Sequence, residues 1–169
     1  MKLSDSRTLD ADQATVWAAL LNKDVLRECV PGCTEMTGSP EDGFEATVVQ
    51  KVGPVKATFQ GQVTLSNMNA PDSLTLTGEG KGGAAGFAKG GADVRLEPNG
   101  QQTILHYDVE AKVGGKLAQL GSRIIDGFAK KMADQFFDNF QQAVAPPEPG
   151  VEIAEGETEK KGWFRKLVG

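Results

Sequence analysis

The sequence predicts an α+β helix-grip fold, in which a bent antiparallel β-sheet wraps around a long C-terminal α-helix. Three observations lead there. A short strand and two short helices open the chain, apolar alternation with a period of two begins at Gly43, and a long apolar stripe at helical spacing runs from about Lys116 to Val144. At 169 residues, with 39% hydrophobic and 24% charged side chains, the chain has room for one domain with its own core.

The opening strand is expected around Leu3 to Leu9. "DADQ" then offers Asp10 as a helix N-cap with Gln13 at the capping-box position. Val16, Trp17, Leu20 and Leu21 share one face of the helix that follows, so Trp17 reads as a core residue. A second short helix, "KDVLRECV", stops at Pro31, whose ring cannot continue it.

In "VKATFQGQVTL" the odd positions from Val55 to Leu65 are apolar or small and the even ones are polar, which marks a strand with one buried face. "DSLTLTG" and "TILHYDVEA" repeat the pattern, and "EDG", "APD" and "EPNG" supply turns at hairpin spacing. The product is a six-stranded meander. The glycine-rich "GEGKGGAAGFAKGGADVRL" reads as turn and bulge geometry, since no phosphate-loop lysine and serine or threonine follow it. Phe87 is out of phase with Ala92, Val94 and Leu96 and faces away from the core unless a bulge at Gly90-Gly91 resets the register.

The final stripe comprises Leu117, Leu120, Ile124, Phe128, Met132, Phe136, Phe140 and Val144. A helix of about 28 residues would be ~42 Å long, with Gly121 and Gly127 permitting a bend or a close neighbour.

Three zones follow: a folded domain over 1–145, a flexible acidic linker over 146–159, and a basic amphipathic tail over 160–169. The stretch "APPEPGVEIAEGETE" holds three prolines and five glutamates and little apolar surface to offset its ordering entropy. The tail "KKGWFRKLVG" carries Lys160, Lys161, Arg165 and Lys166 without an acid, in a chain of net charge −5. As a helix it would place Trp163, Phe164, Leu167 and Val168 within one arc of about 140°, the pattern of a reversible anchor on an anionic membrane surface.

Composition also narrows function. The acidic balance disfavours nucleic acid as a partner. No apolar run reaches the ~20 residues of a membrane span, and the first ten residues lack the apolar core of a signal peptide, so the expected location is cytoplasmic, peripheral on the inner face of the cell membrane. Cys29 and Cys33 flank Val-Pro-Gly as free thiols, too few for a metal site or a disulfide framework. The single histidine, His106, alternates outward beside Asp108, and no nucleophile-base pair accompanies it. A catalytic role is therefore not expected, and no metal is.

"VWAALLNKDVLRECVPGCTEM", above all "CVPGC", together with "VGPVKATFQGQVTL" and "GGAAGFAKGGADVRL", resembles the carbon monoxide dehydrogenase G-subunit family of the START-like, polyketide cyclase superfamily. The resemblance covers residues 1 to about 145. It implies a non-catalytic accessory protein that binds a quinone (menaquinone or ubiquinone) in the helix-grip cavity. It also implies recruitment of a molybdenum hydroxylase such as carbon monoxide dehydrogenase to the membrane. Members commonly add a C-terminal membrane element after a variable linker; here that element is short and amphipathic. The alternatives are a polyketide cyclase-like enzyme, a lipid-transfer protein, or an adaptor whose cavity is filled. The expected cavity wall is Phe59, Leu76, Tyr107, Leu120, Ile124 and Phe128, with Tyr107 as a hydrogen-bond donor to a quinone carbonyl.

Overall fold

The computed structural model describes residues 1–145. The order of elements is β1 (Lys2–Leu9), α1 (Gln13–Leu20), α2 (Lys23–Cys29), β2 (Cys33–Ser39), β3 (Gly43–Val52), β4 (Val55–Asn69), β5 (Ser73–Lys81), β6 (Phe87–Asn99), β7 (Gln102–Gly114) and α3 (Ser122–Val144). Seven strands form one antiparallel sheet in the order β1-β7-β6-β5-β4-β3-β2. Strands two to seven are the predicted meander, and β1 closes onto β7. The helix-grip expectation holds: α3 packs on the concave face of the bent sheet.

The chain reverses between α2 and β2 at Pro31-Gly32. Gly32 has φ +79°, and a Cβ there would stand 2.1 Å from the Val49 carbonyl oxygen. Only glycine allows both the left-handed backbone and that approach. The Val49 amide donates to the Gly32 carbonyl at 2.9 Å, and the Gln50 side-chain amide donates to the Pro31 carbonyl at 2.6 Å. "CVPGC" is thus a turn stapled to β3. Cys29 is buried, and desolvation pushes its thiol up to about 12, so it stays neutral. Cys33 is half-buried, and both cysteines are free.

The cap of α1 differs from expectation. Asp12 occupies the N-cap position and its carboxylate accepts from the Thr15 hydroxyl. Gln13 instead donates to the Pro71 carbonyl at 3.1 Å and to Asp72 Oδ1 at 2.9 Å, fixing α1 to the β4–β5 turn. A tertiary partner outcompetes the local capping box. At this end of the sheet the core is solid: Leu9, Val16, Trp17, Leu105, Phe140 and Val144 are buried together.

The C-terminal helix is shorter than predicted. A 3₁₀ turn spans Gly115–Leu120, Gly121 takes φ +90°, and α3 covers 23 residues, so it is ~34 Å long rather than ~42 Å. The glycine ends one helix and begins another. Residues before it do not share the phase of those after it.

A polar tie crosses from β1 to α3. The Arg7 guanidinium donates to Asp134, which also accepts from Lys130 at 3.2 Å. Those two bonds, Arg7's first, hold the Asp134 carboxyl below its ordinary value of 3.8. A carboxylate depressed in the folded state contributes stability above its unfolded pKa and loses it as the pH falls through the folded value. Wild-type melting temperature should therefore drop more steeply below pH 3.8 than that of Asp134→Asn. Equal slopes in an acid thermal-melt series would show that the tie contributes nothing; with Asp134 43% exposed, the expected difference is small.

Candidate ligand cavity

Between the concave face and α3 lies a cavity of about 630 Å³. The residue types on the sheet explain why it is hollow. Gly80, Ala88, Ala92 and Ala111 line it from three adjacent strands, and Gly61 stands directly opposite Gly80. A Cβ built on Gly80 meets nothing within 4 Å. Where the other end of the sheet sends Leu74, Val94 and Leu105 inward from β5, β6 and β7, this end sends chiefly glycine and alanine from those strands, so the helix rests on the tall residues and spans the short ones.

The wall is apolar almost throughout. From α3 it receives Ile125, Phe128, Met132 and Phe136, and from the sheet Phe44, Val52, Phe59, Val63 and Leu76. Tyr107 stacks on Phe137 with ring centroids 5.1 Å apart, and Phe136 meets Phe137 edge-on at 5.0 Å. Among the described residues, Gln50 and Tyr107 bring the only polar side-chain groups to the wall. Burial raises the Tyr107 phenol, while the nearby positive charge of the Arg7 guanidinium offsets part of that rise. With its pKa raised, the phenol stays protonated and keeps an O–H to donate to an acceptor in the cavity.

Of the residues expected on the wall, Phe59, Leu76, Tyr107 and Phe128 stand there, but Leu120 and Ile124 do not. Both lie against Gly53 in the β3–β4 turn, and Ile124 is 40% exposed. The reason is helical geometry. Each step of four residues overshoots a full turn by about 40°, so a run spaced strictly by fours drifts around the axis. Four such steps separate Ile124 from Phe140. Ile125 and Leu117 occupy the wall instead.

Gln50 is a wall residue that the sequence did not single out. Its signal is an amide at an inward register position of β3, in phase with Phe44, Ala46, Val48 and Val52. The glycine-rich stretch holds no bulge: the β5–β6 register runs unbroken from Ser73↔Arg95 to Lys81↔Phe87. With nothing to reset the register, Phe87 faces outward and is 38% exposed. His106 also faces outward, with Nε2 2.9 Å from Glu97.

A broader hollow of about 790 Å³ lies on the opposite, convex face, bordered by Gln62, Thr64, Glu79, Lys89 and Lys112. It is open and ringed by charged and hydroxyl side chains, so it does not enclose an apolar ligand. Among the described residues no group of His, Cys, Asp and Glu could hold a metal ion, and no helix is long and apolar enough to cross a membrane.

The family model for the carbon monoxide dehydrogenase G subunit (CoxG) matches residues 6–145. The chain belongs to the CoxG family. CoxG-family membership together with a START-like fold makes this a ligand-binding, non-catalytic accessory protein. Among solved structures, a conserved protein from Geobacillus kaustophilus is 28% identical, with a TM-score of 0.80 over 85% of this chain and 95% of that one. A START superfamily protein from Mycobacterium smegmatis is 12% identical, with a TM-score of 0.64 over 85% and 96% of the two chains, and shows the shared fold. A protein from Chromobacterium violaceum is 15% identical, with a TM-score of 0.63 over 86% and 99%. No curated protein matches the chain.

Proposed function

We propose that this CoxG-family protein carries a quinone in its cavity and brings a carbon monoxide dehydrogenase-like molybdenum hydroxylase to the membrane quinone pool. The observation that carries the ligand reading is the cavity of about 630 Å³ with two polar side chains on an otherwise apolar wall. That volume lies in the range of roughly 300–1,000 Å³ typical of small-molecule sites. A quinone needs such a wall: apolar surface for the ring and isoprenoid tail, and one or two donors for its carbonyls. Gln50 and Tyr107 are the proposed donors, with Phe59, Leu76 and Phe128 as packing surface.

The hydroxylase partner rests on the family, and the division into domain, linker and anchoring tail rests on composition. Residues 146–169, including Trp163 and Phe164, lie outside the described residues.

Mass spectrometry of an organic extract of the purified protein tests the ligand directly. A quinone should be recovered; a lipid of another class, or none from protein expressed in a quinone-replete host, would end the quinone reading. Cross-linked co-purification from the native host tests the partner in the same way. Gln50→Leu should weaken binding of a short-tailed quinone about tenfold, the worth of one good hydrogen bond to a buried carbonyl, and cost about 1 kcal/mol of stability through the lost Pro31 bond. Unchanged affinity in a titration would remove Gln50 from the site.

A further inference from the structure

The basic side chains of the domain are not spread evenly. Lys51 and Lys56 face each other across β3 and β4, and Lys89 faces Lys112 across β6 and β7. Like charges directly opposite on a sheet are destabilising, yet two such pairs stand at the same end. Lys81 lies opposite Phe87 there, and Lys116 and Arg123 follow where the chain leaves β7 for α3. All seven are exposed, and none takes part in an ion pair among the described residues. Glu79, opposite Lys89, Glu110, which borders the same hollow as Lys89 and Lys112 and is paired with Lys2, and Asp126 are the acids beside them.

The other end is the reverse. Asp10 and Asp12 follow β1, Glu41 and Asp42 occupy the β2–β3 turn, and Asp72 sits in the β4–β5 turn. An acidic protein thus has a basic pole. The exposed apolar residues Phe87 and Ile124, 38% and 40% accessible, project at that pole, and the cavity reaches it at Val52, Val113 and Leu117.

We propose that this basic pole of the folded domain docks on an anionic lipid surface, turning the hollow end of the cavity toward the bilayer. The proposal deepens the quinone-carrier reading by giving the ligand a direction of entry, although docking itself requires no ligand. Residue type favours lipid over an acidic protein. Six of the seven bases are lysine, a hydrated point charge that protein interfaces deplete; a lipid surface needs only charge density and a few apolar side chains to insert. The opposed poles would also orient the domain on approach.

The test uses the full chain and vesicles of phosphatidylcholine with phosphatidylglycerol. Replacing Lys51, Lys56, Lys89 and Lys112 together by glutamine should weaken partitioning at low salt at least about tenfold, without lowering thermal stability, since two repulsive pairs are removed. The corresponding control, Lys23→Gln with Arg27→Gln on α2, should bind as wild type. A second chain, Trp163→Phe with Ile124→Trp, reports orientation: brominated phosphatidylglycerol should quench emission from position 124, while Trp17 stays dark to it inside the core. Partitioning that the four substitutions leave undiminished, or unquenched emission at position 124, would mean that the domain does not meet the lipid and overturns the proposal. So would a wild-type chain that ignores vesicles while the four substitutions abolish hydroxylase binding, because the pole would then be a protein dock. Failure to extract a quinone leaves the docking result standing, so the two hypotheses fall separately.

Discussion

Replacing Gly80 by leucine should abolish binding of a short-tailed quinone and raise the melting temperature by a few degrees. Gly80 lies on the cavity wall, its backbone is outside the left-handed region, and a Cβ there meets no atom within 4 Å. A leucine side chain would project into the empty space between β5 and α3. Burying it against the apolar wall contributes about 1.5–3 kcal/mol, and losing a strand glycine adds roughly 0.5–1 kcal/mol, less the entropy of fixing the side chain. For a domain of this size each kcal/mol shifts the melting temperature by about 2–4 °C. Binding and stability therefore move in opposite directions. That combination is diagnostic, because a variant that lost binding through misfolding would melt earlier. Full quinone affinity with a filled cavity, measured by calorimetric titration, would place the ligand elsewhere.

Gly90→Val should do the opposite to the fold, destabilising it by about 3 kcal/mol and lowering the melting temperature by about 10 °C. A Cβ at Gly90 would sit 2.0 Å from the Glu110 carbonyl oxygen and 2.6 Å from the Ala111 Cα. Both are backbone atoms of β7, which pairs with β6 along its whole length. No side chain can swing aside to make room, so the two strands must separate and strain their ladder. A Gly90→Val protein that melts like wild type would show that β6 and β7 are less closely joined than this register requires.

Gly80 and Gly90 stand in one glycine-rich stretch and are indistinguishable there. One faces a void and the other a neighbouring backbone. The local pattern tells only that side chains are missing; which of them would have had room depends on strands and a helix that are distant in sequence. The same limit explains Gln50. Its inward phase is legible from the alternation of β3, but its importance comes from being one of two polar side chains on a wall assembled from all layers of the fold.

Periodicity and turn chemistry settle the order of strand, two helices, meander and long helix, because each is decided by residues a few positions apart. The "CVPGC" turn and the outward His106 belong to the same class of local evidence. The helix boundary at Gly121 does not, since a glycine within an apolar run is compatible with a bend, a close neighbour or an end. Extending one stripe across that boundary puts Ile124 on the wrong side of α3, and a spacing of fours conceals the drift. Tertiary structure alone decides that Gln13 serves the β4–β5 turn instead of its own helix, that the concave face is hollow at one end and solid at the other, and that seven bases from separate elements converge on one pole. The physical reason is common to all three: side-chain partners, cavity volume and surface charge depend on residues distant in sequence, and the sequence prescribes each contribution without prescribing where the contributions meet.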